Sequence, residues 1–278
     1  MLSCACPKVQ DLVMMGIMKS KFDTLPSRLR AVSEEVSIGE VPCLLVRADS
    51  SPRPFLFWMH GRTADKELDP GRYLRYVRHG INVCAVDLPG HGARFDASRQ
   101  DARQSLEVVL QMASEIDGVL EGLALLGDFD LQRAAIGGMS AGGMAAIQRL
   151  LQPHSFRAAV LEATAGNLDA MRDLPFCAGL SKEELSDINP MENLHQWKDI
   201  PVMAFHSRHD AWIPYLGQET FIQSLKDKSA HSEDIELVSF DHTGAPYEHV
   251  GFGRESAFVK EVQVEFVAKF VRSTSETI

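Results

Sequence analysis

Gly138-Met139-Ser140-Ala141-Gly142 joins a short apolar run, AAIGGM, to a helix-compatible one, AGGMAAIQRLL. A serine at such a junction, with glycine two positions to either side, fits the G-x-S-x-G pattern of a nucleophile held on a strand-to-helix turn. The turn lifts the hydroxyl clear of neighbouring strands, and Gly138, Gly142 and Gly143 leave the backbone room to make it. The helix that begins at Ala141 offers an N–H and its positive end to a developing oxyanion. The bland reading of the same residues is a glycine-rich packing turn in which Ser140 caps the helix.

A serine nucleophile needs an imidazole to take its proton, a carboxylate to hold that imidazole, and N–H donors for the oxyanion. His60-Gly61-Arg62-Thr63 directly follows the run FLFWM, so the chain can turn there and aim a backbone N–H at the serine. Arg62 is the first choice of donor and Thr63 the second, beside Ala141; His60 is read as ordering the loop. Asp87-Leu88-Pro89-Gly90-His91-Gly92 is a second turn-rich loop, with His91 shaping the pocket. Asp210, in SRHDAWIP after the run PVMAFHS, suits the carboxylate; Glu162 competes but lies in an apolar run and reads as structurally partnered. Two histidines lie beyond the last strand, His242 in SFDHTG and His249 in YEHVGF. His242 sits close to the strand end, whereas the loop around His249, with Gly244, Pro246 and Gly251, can fold back over Ser140.

Metal chemistry is not expected. His206 and His209 flank Asp210, but at that spacing on leaving a strand they do not converge on one ion, and the Cys4-x-Cys6 pair has no second pair nearby. The proton transfers and charge stabilisation of a serine mechanism require no organic cofactor either.

The elements that must position these groups follow from the hydrophobic pattern. VSEEVSI from Val32 and VPCLLVRA from Val41 are separated by a tight turn and predict an antiparallel pair. FLFWMHG from Phe55, INVCAVDL from Ile81, AAIGGMS from Ala134, AAVLEA from Ala158, PVMAFHS from Pro201 and IELVSF from Ile235 are nearly continuous apolar runs, as strands buried on both faces require. Between them the pattern predicts helices over 70–79, 105–126, 141–151, 215–226 and 256–272. In the last, Phe258, Val262, Phe266, Lys269 and Phe270 recur at three and four and mark the face packed on the sheet. Residues 167–199 hold polar and helical pieces without a strand, and are read as a small cap-like insertion after the sixth strand, at the edge where open α/β sheets bind ligands. The expected organisation is an N-terminal extension over 1–31, its first residues poorly ordered, then a single α/β domain over 32–278. The crowding of Met14, Met15 and Met18 raises the reading that the start is mis-assigned.

HGRT, DLPGHG and GMSAGG follow three successive strands in that order, and from about Val32 onward the chain resembles the α/β-hydrolase superfamily. Within it, NPMENL and IPVMAFHSRHDAWIP resemble dienelactone-hydrolase and prolyl-oligopeptidase-type catalytic domains and the small bacterial esterases similar to them. The resemblance implies an eight-stranded, mostly parallel sheet with helices on both faces and a Ser, Asp, His order. It favours His249, which precedes a small residue shortly before the last helix, over His242. The expected catalytic set is thus Ser140, Asp210 and His249, with Arg62 and Ala141 in the oxyanion hole. The expected function is cleavage of a carboxylic ester or related acyl bond through an acyl-enzyme. A peptidase, an acyltransferase, or a non-catalytic binding protein on the same fold are the alternatives; a triad alone fixes neither acyl nor leaving group.

Bulk properties agree with a small-molecule enzyme. The chain has 278 residues, 45% hydrophobic and 24% charged, as in ordinary globular proteins. Its net charge of -10, from 38 acidic and 28 basic residues, disfavours nucleic acid and anionic membrane surfaces as partners. Five cysteines, an odd number in a chain too large to need staples, point to a reducing compartment. MLSCACPKVQ lacks the basic start and apolar length of a secretory signal, so a cytoplasmic location is expected.

Overall fold

A computed structural model describes residues 21–272; Cys4, Cys6 and the rest of 1–20 lie outside the described residues. In chain order the elements are α1 (Ser27–Arg30), β1 (Ser33–Ile38), β2 (Val41–Val46), β3 (Arg53–Met59), α2 (Pro70–Arg78), β4 (Asn82–Val86), α3 (Ser105–Leu126), β5 (Phe129–Met139), α4 (Ala141–Leu150), β6 (Ala158–Glu162), α5 (Lys182–Ile188), β7 (Val202–Ser207), α6 (Tyr215–Lys228), β8 (Ile235–Phe240) and α7 (Ser256–Val271). The strands form one open sheet in the order β1-β2-β4-β3-β5-β6-β7-β8. β1 with β2 and β2 with β4 are antiparallel, and the remaining pairs are parallel.

Alternation along each strand divides the core into two layers. Phe55, Phe57 and Met59 of β3 face a cluster completed by α3, α4 and α6, including Met112, Ile147 and Phe221. Leu56 and Trp58 face the other way, toward Tyr73 and Tyr76 of α2 and Val264 and Val267 of α7. Burial on both faces is why the central strands lack a polar side in the sequence.

Three boundaries or faces differ from the sequence expectation. β5 begins at Phe129 rather than Ala134, because Phe129 pairs with Arg53 before the register shifts and resumes at Phe55 with Ala134. On α7, Phe258 is 49% exposed while Val259, Val264, Val267 and Val271 are buried. The stripe was hidden by its polar member Gln263, whose amide is taken up by Arg72 and Glu162. Residues 21–31, assigned to the extension, are built into the fold: Leu25 and Leu29 are buried in the layer under α2 and α7.

Residues 167–199 leave the sheet after β6 and return at β7 without adding a strand. Their polar groups are answered largely within the segment. Ser181 and Glu184 form a capping box on α5. The side chain of Asn189 accepts the N–H groups of Leu168 and Met191 and donates to Asp169. Leu168, Met171, Cys177, Leu185 and Leu194 turn inward to the core.

Candidate active site

Ser140 lies between β5 and α4 with φ 51 and ψ -117, a conformation that costs a non-glycine residue about 1–3 kcal/mol and persists only where the surroundings enforce it. They do so here by hydrogen bonds and by close packing. Its N–H donates to Glu162 O at 2.8 Å, and its carbonyl accepts Thr164 Oγ1 at 2.8 Å. A Cβ on Gly138 would meet the backbone of Gly142 at 2.4 Å, and one on Gly142 would meet Met59 O at 2.4 Å. The hydroxyl makes no capping bond to α4, so the N-cap reading does not describe it.

The loop after β3 passes directly beside this turn, since a Cβ on Gly61 would lie 3.4 Å from Ser140 Cβ. His60 holds the loop. Its Nε2 accepts the N–H of Leu88 at 3.0 Å, so Nδ1 carries the hydrogen and donates to Gly61 O at 2.6 Å. Arg62 sends its guanidinium away from the serine, to the carbonyls of Arg99, Gln100 and Asp101 and to Ser105 Oγ. Burial lowers its pKa from the ordinary arginine value.

Further along the same loop, Lys66 is fully buried among Glu35 at 2.8 Å, Glu67 at 2.8 Å and Asp87 at 3.1 Å. Burial pushes the Lys66 pKa down, but the three carboxylates more than offset it and the net direction is up. Asp87 also accepts the N–H groups of Lys66 and Ala93, which ties the β3 loop to the β4 loop. His91, on that second loop, donates Nδ1–H to Pro89 O and is otherwise enclosed; burial pulls its pKa down to about 4.

Asp210 and His249 meet across 2.7 Å, from Oδ2 to Nδ1, with the carboxylate buried. Asp210 Oδ1 accepts the N–H groups of Trp212 and Ile213, both at 2.8 Å, so the residue also braces its own loop before α6. Burial pushes the Asp210 pKa up, yet the hydrogen bonds from His206 and His249 prevail and it lies below the usual carboxylate value. The His249 loop is strained at Tyr247 (φ 58) and Glu248 (φ 51). Glu248 secures it by accepting Thr243 N–H, Thr243 Oγ1, Gly244 N–H and Ser207 Oγ.

His242 is exposed and stacks on His209, ring centroids 4.5 Å apart, instead of approaching Asp210. Glu162, the competing acid, is engaged on the opposite layer by Arg72 at 2.8 Å and by Gln263. Among the described residues no group of three or more His, Cys, Asp or Glu is arranged to hold a metal, and no helix is long and apolar enough to cross a membrane.

Ser140, His249, Arg62 and Ala141 all line one cavity of about 560 Å³. Met144, Phe176, Trp212 and Leu68 supply much of its apolar wall. Sequence reasoning missed Trp212 and Phe176 as lining, Glu248 as the clamp of the histidine loop, and Lys66 as the centre of the loop network. Only the placement of 167–199 at the ligand edge hinted at Phe176.

Comparison with known proteins fits this arrangement. Residues 73–271 match the model of the prolyl oligopeptidase family, which is well over half of the chain. The chain belongs to the prolyl oligopeptidase family. This family member is 24% identical to the esterase YjfP of Escherichia coli K12 over 202 residues, 65% of this chain and 79% of that one. Among solved structures it is similar to TT1662 from Thermus thermophilus, with a TM-score of 0.69 at 19% identity, covering 87% of this chain and 98% of that chain. The acylaminoacyl peptidase of Pyrococcus horikoshii gives a TM-score of 0.66 at 17% identity, covering 88% of this chain but 42% of the peptidase. The eight-stranded, mostly parallel sheet is therefore the α/β-hydrolase fold, and the chain is a serine hydrolase of the prolyl oligopeptidase family.

Proposed function

We propose that this prolyl oligopeptidase family member hydrolyses neutral carboxylic esters of small, apolar character, with Ser140 as nucleophile, His249 as base and Asp210 as the orienting acid. The observation that carries the reading is the His249–Asp210 hydrogen bond at a cavity that also receives the strained turn of Ser140. Asp210 keeps the hydrogen on His249 Nδ1, which leaves Nε2 free to accept the proton of the Ser140 hydroxyl. Attack on the acyl carbon moves charge to the carbonyl oxygen, where the N–H groups of Arg62 and Ala141 act as donors. His249 returns the proton to the departing alcohol, and water activated by the same ring then releases the acid from the acyl-enzyme.

Neutral substrates are favoured by the charge inventory of the cavity. Among the described residues the one Asp, Glu, Lys or Arg that lines it is Arg62, whose guanidinium is already engaged by four acceptors. Among the described residues no lysine or unengaged arginine lines the cavity to pair with a substrate carboxylate. A peptidase on the same groups is the second reading, supported by the likeness to the acylaminoacyl peptidase. The proposed compartment is the cytoplasm, in keeping with Cys43, Cys84 and Cys177 as buried free thiols.

Labelling with a fluorophosphonate probe tests the nucleophile: the protein should react, and Ser140→Ala should abolish both labelling and ester turnover. Full labelling of that variant sinks the assignment. A panel of neutral esters and blocked peptide amides then separates esterase from peptidase.

A further inference from the structure

Asp210 Oδ2 faces two imidazoles. His249 Nδ1 lies 2.7 Å from it, and His206 Nε2, from the end of β7, lies 3.2 Å from the same oxygen. His206 is fully buried, and its Nε2 also lies 3.0 Å from Ile213 O. Both neighbours are acceptors, so Nε2 carries the hydrogen; it donates to the Ile213 carbonyl, with the carboxylate oxygen beside it at 3.2 Å. Its Nδ1 is buried with no hydrogen-bond partner. Leaving a ring nitrogen bare in the core costs free energy, and a purely space-filling residue against the Tyr215 ring, 5.7 Å away edge-on, would avoid that cost as phenylalanine. The histidine is explained by what Nε2–H does.

We propose that His206 is a positioning residue, whose Nε2–H fixes Asp210 Oδ2 so that the carboxylate is presented to His249 in a single orientation. This rests on the proposed roles of Asp210 and His249. Oδ1 is already pinned by the N–H groups of Trp212 and Ile213, which set one end of the carboxylate. Oδ2 would otherwise be held by His249 alone, a ring that changes charge in every proton transfer. A second N–H against the same oxygen keeps it in place through the cycle and takes up part of its charge. The titratable groups that face the His206 ring are Asp210 on the following loop, Tyr215 at the start of α6 and, across the carboxylate, His249.

The test compares His206→Phe, which keeps bulk and removes the donor, with His206→Gln, which keeps an N–H. On a neutral ester, His206→Phe should lower kcat by about ten- to a hundred-fold with KM nearly unchanged. The acidic limb of kcat/KM should move to higher pH, because an Asp210 no longer sharing its charge holds the His249 proton more tightly. The downfield proton resonance of His249 Nδ1–H should shift or broaden in the same variant, and His206→Gln should recover most of each signal. A His206→Phe protein with wild-type kcat, pH limb and resonance overturns the proposal. So does a His206→Gln that melts like wild type yet is as impaired as His206→Phe. The resonance is recorded also in Ser140→Ala, so failure of the serine assignment is seen separately from failure of the His206 role.

Discussion

The N–H of Ala211 donates to the carbonyl of Tyr247 across 3.0 Å, and this bond sews the loop of Asp210 to the loop of His249. Trp212 repeats the connection with side chains, its ring 5.0 Å from Tyr247 and 4.9 Å from His249. Asp210 and His249 are thus fixed relative to each other by two loops that share their own contacts.

Glu248 is the anchor of the second loop, and Glu248→Ala should cut kcat/KM by about ten- to a hundred-fold by releasing His249. Hydrogen exchange should rise over 243–250 in the same protein. The backbone N–H groups of Thr243 and Gly244 hold the Glu248 pKa down at about 2. Its contribution to stability is therefore complete above the ordinary glutamate range and is lost as pH falls toward 2. An unchanged rate and exchange pattern would remove Glu248 from the account.

Gly142→Ala should destabilise the protein by roughly 1–3 kcal/mol, because the new methyl would enter the backbone of Met59 and His60. Urea unfolding measures the loss. Fluorophosphonate labelling should slow in parallel, since the displaced strand end carries the Gly61–Arg62 loop.

Removing the buried cation with Lys66→Met should cost about 3–5 kcal/mol, as Glu35, Glu67 and Asp87 would be left together without it. Chemical denaturation at neutral pH checks the figure. A variant as stable as the parent would mean that those carboxylates are protonated or solvated in the native state.

Acidification from pH 6.5 toward 4 should lower the melting temperature through His91 and His154. Burial depresses both to about 4, so the unfolded chain binds their protons in this window while the folded chain does not. His91→Gln and His154→Gln together should flatten that part of the profile, measured by calorimetry; an unaltered slope would exclude them as its source.

Phe176→Ala should shift preference toward longer or bulkier apolar esters, with the change mainly in KM. An ester panel of increasing acyl length reads this directly, and an unchanged ranking would take Phe176 out of the binding wall.

Elements built on continuous apolar runs were legible in the sequence, and so was the serine turn, because glycine spacing at a strand end encodes close backbone approach. That Asp210 would meet His249 rather than His242 was legible through loop position and resemblance together. What escaped were residues whose meaning depends on partners remote in the chain. Lys66 looks like a surface lysine until Glu35 and Asp87 come to it, and Gln263 looks like a solvent position until Arg72 and Glu162 occupy it. Single-chain periodicity carries no record of such pairings. The path of 167–199 was hidden for a related reason: it is set by Asn189 bonding to Leu168, Met191 and Asp169, a local closure without a repeating pattern.

Because the polar groups of that segment are answered largely within it, one part of the cavity wall, Leu174 to Phe176, is carried on a stretch of polypeptide separate from Ser140, Asp210 and His249. Leu174, Pro175 and Phe176 take no part in the hydrogen bonds of Ser140, Asp210 or His249, so they can be rewritten in evolution or in the laboratory without breaking one. Diversification of such a scaffold would then run through one replaceable jaw.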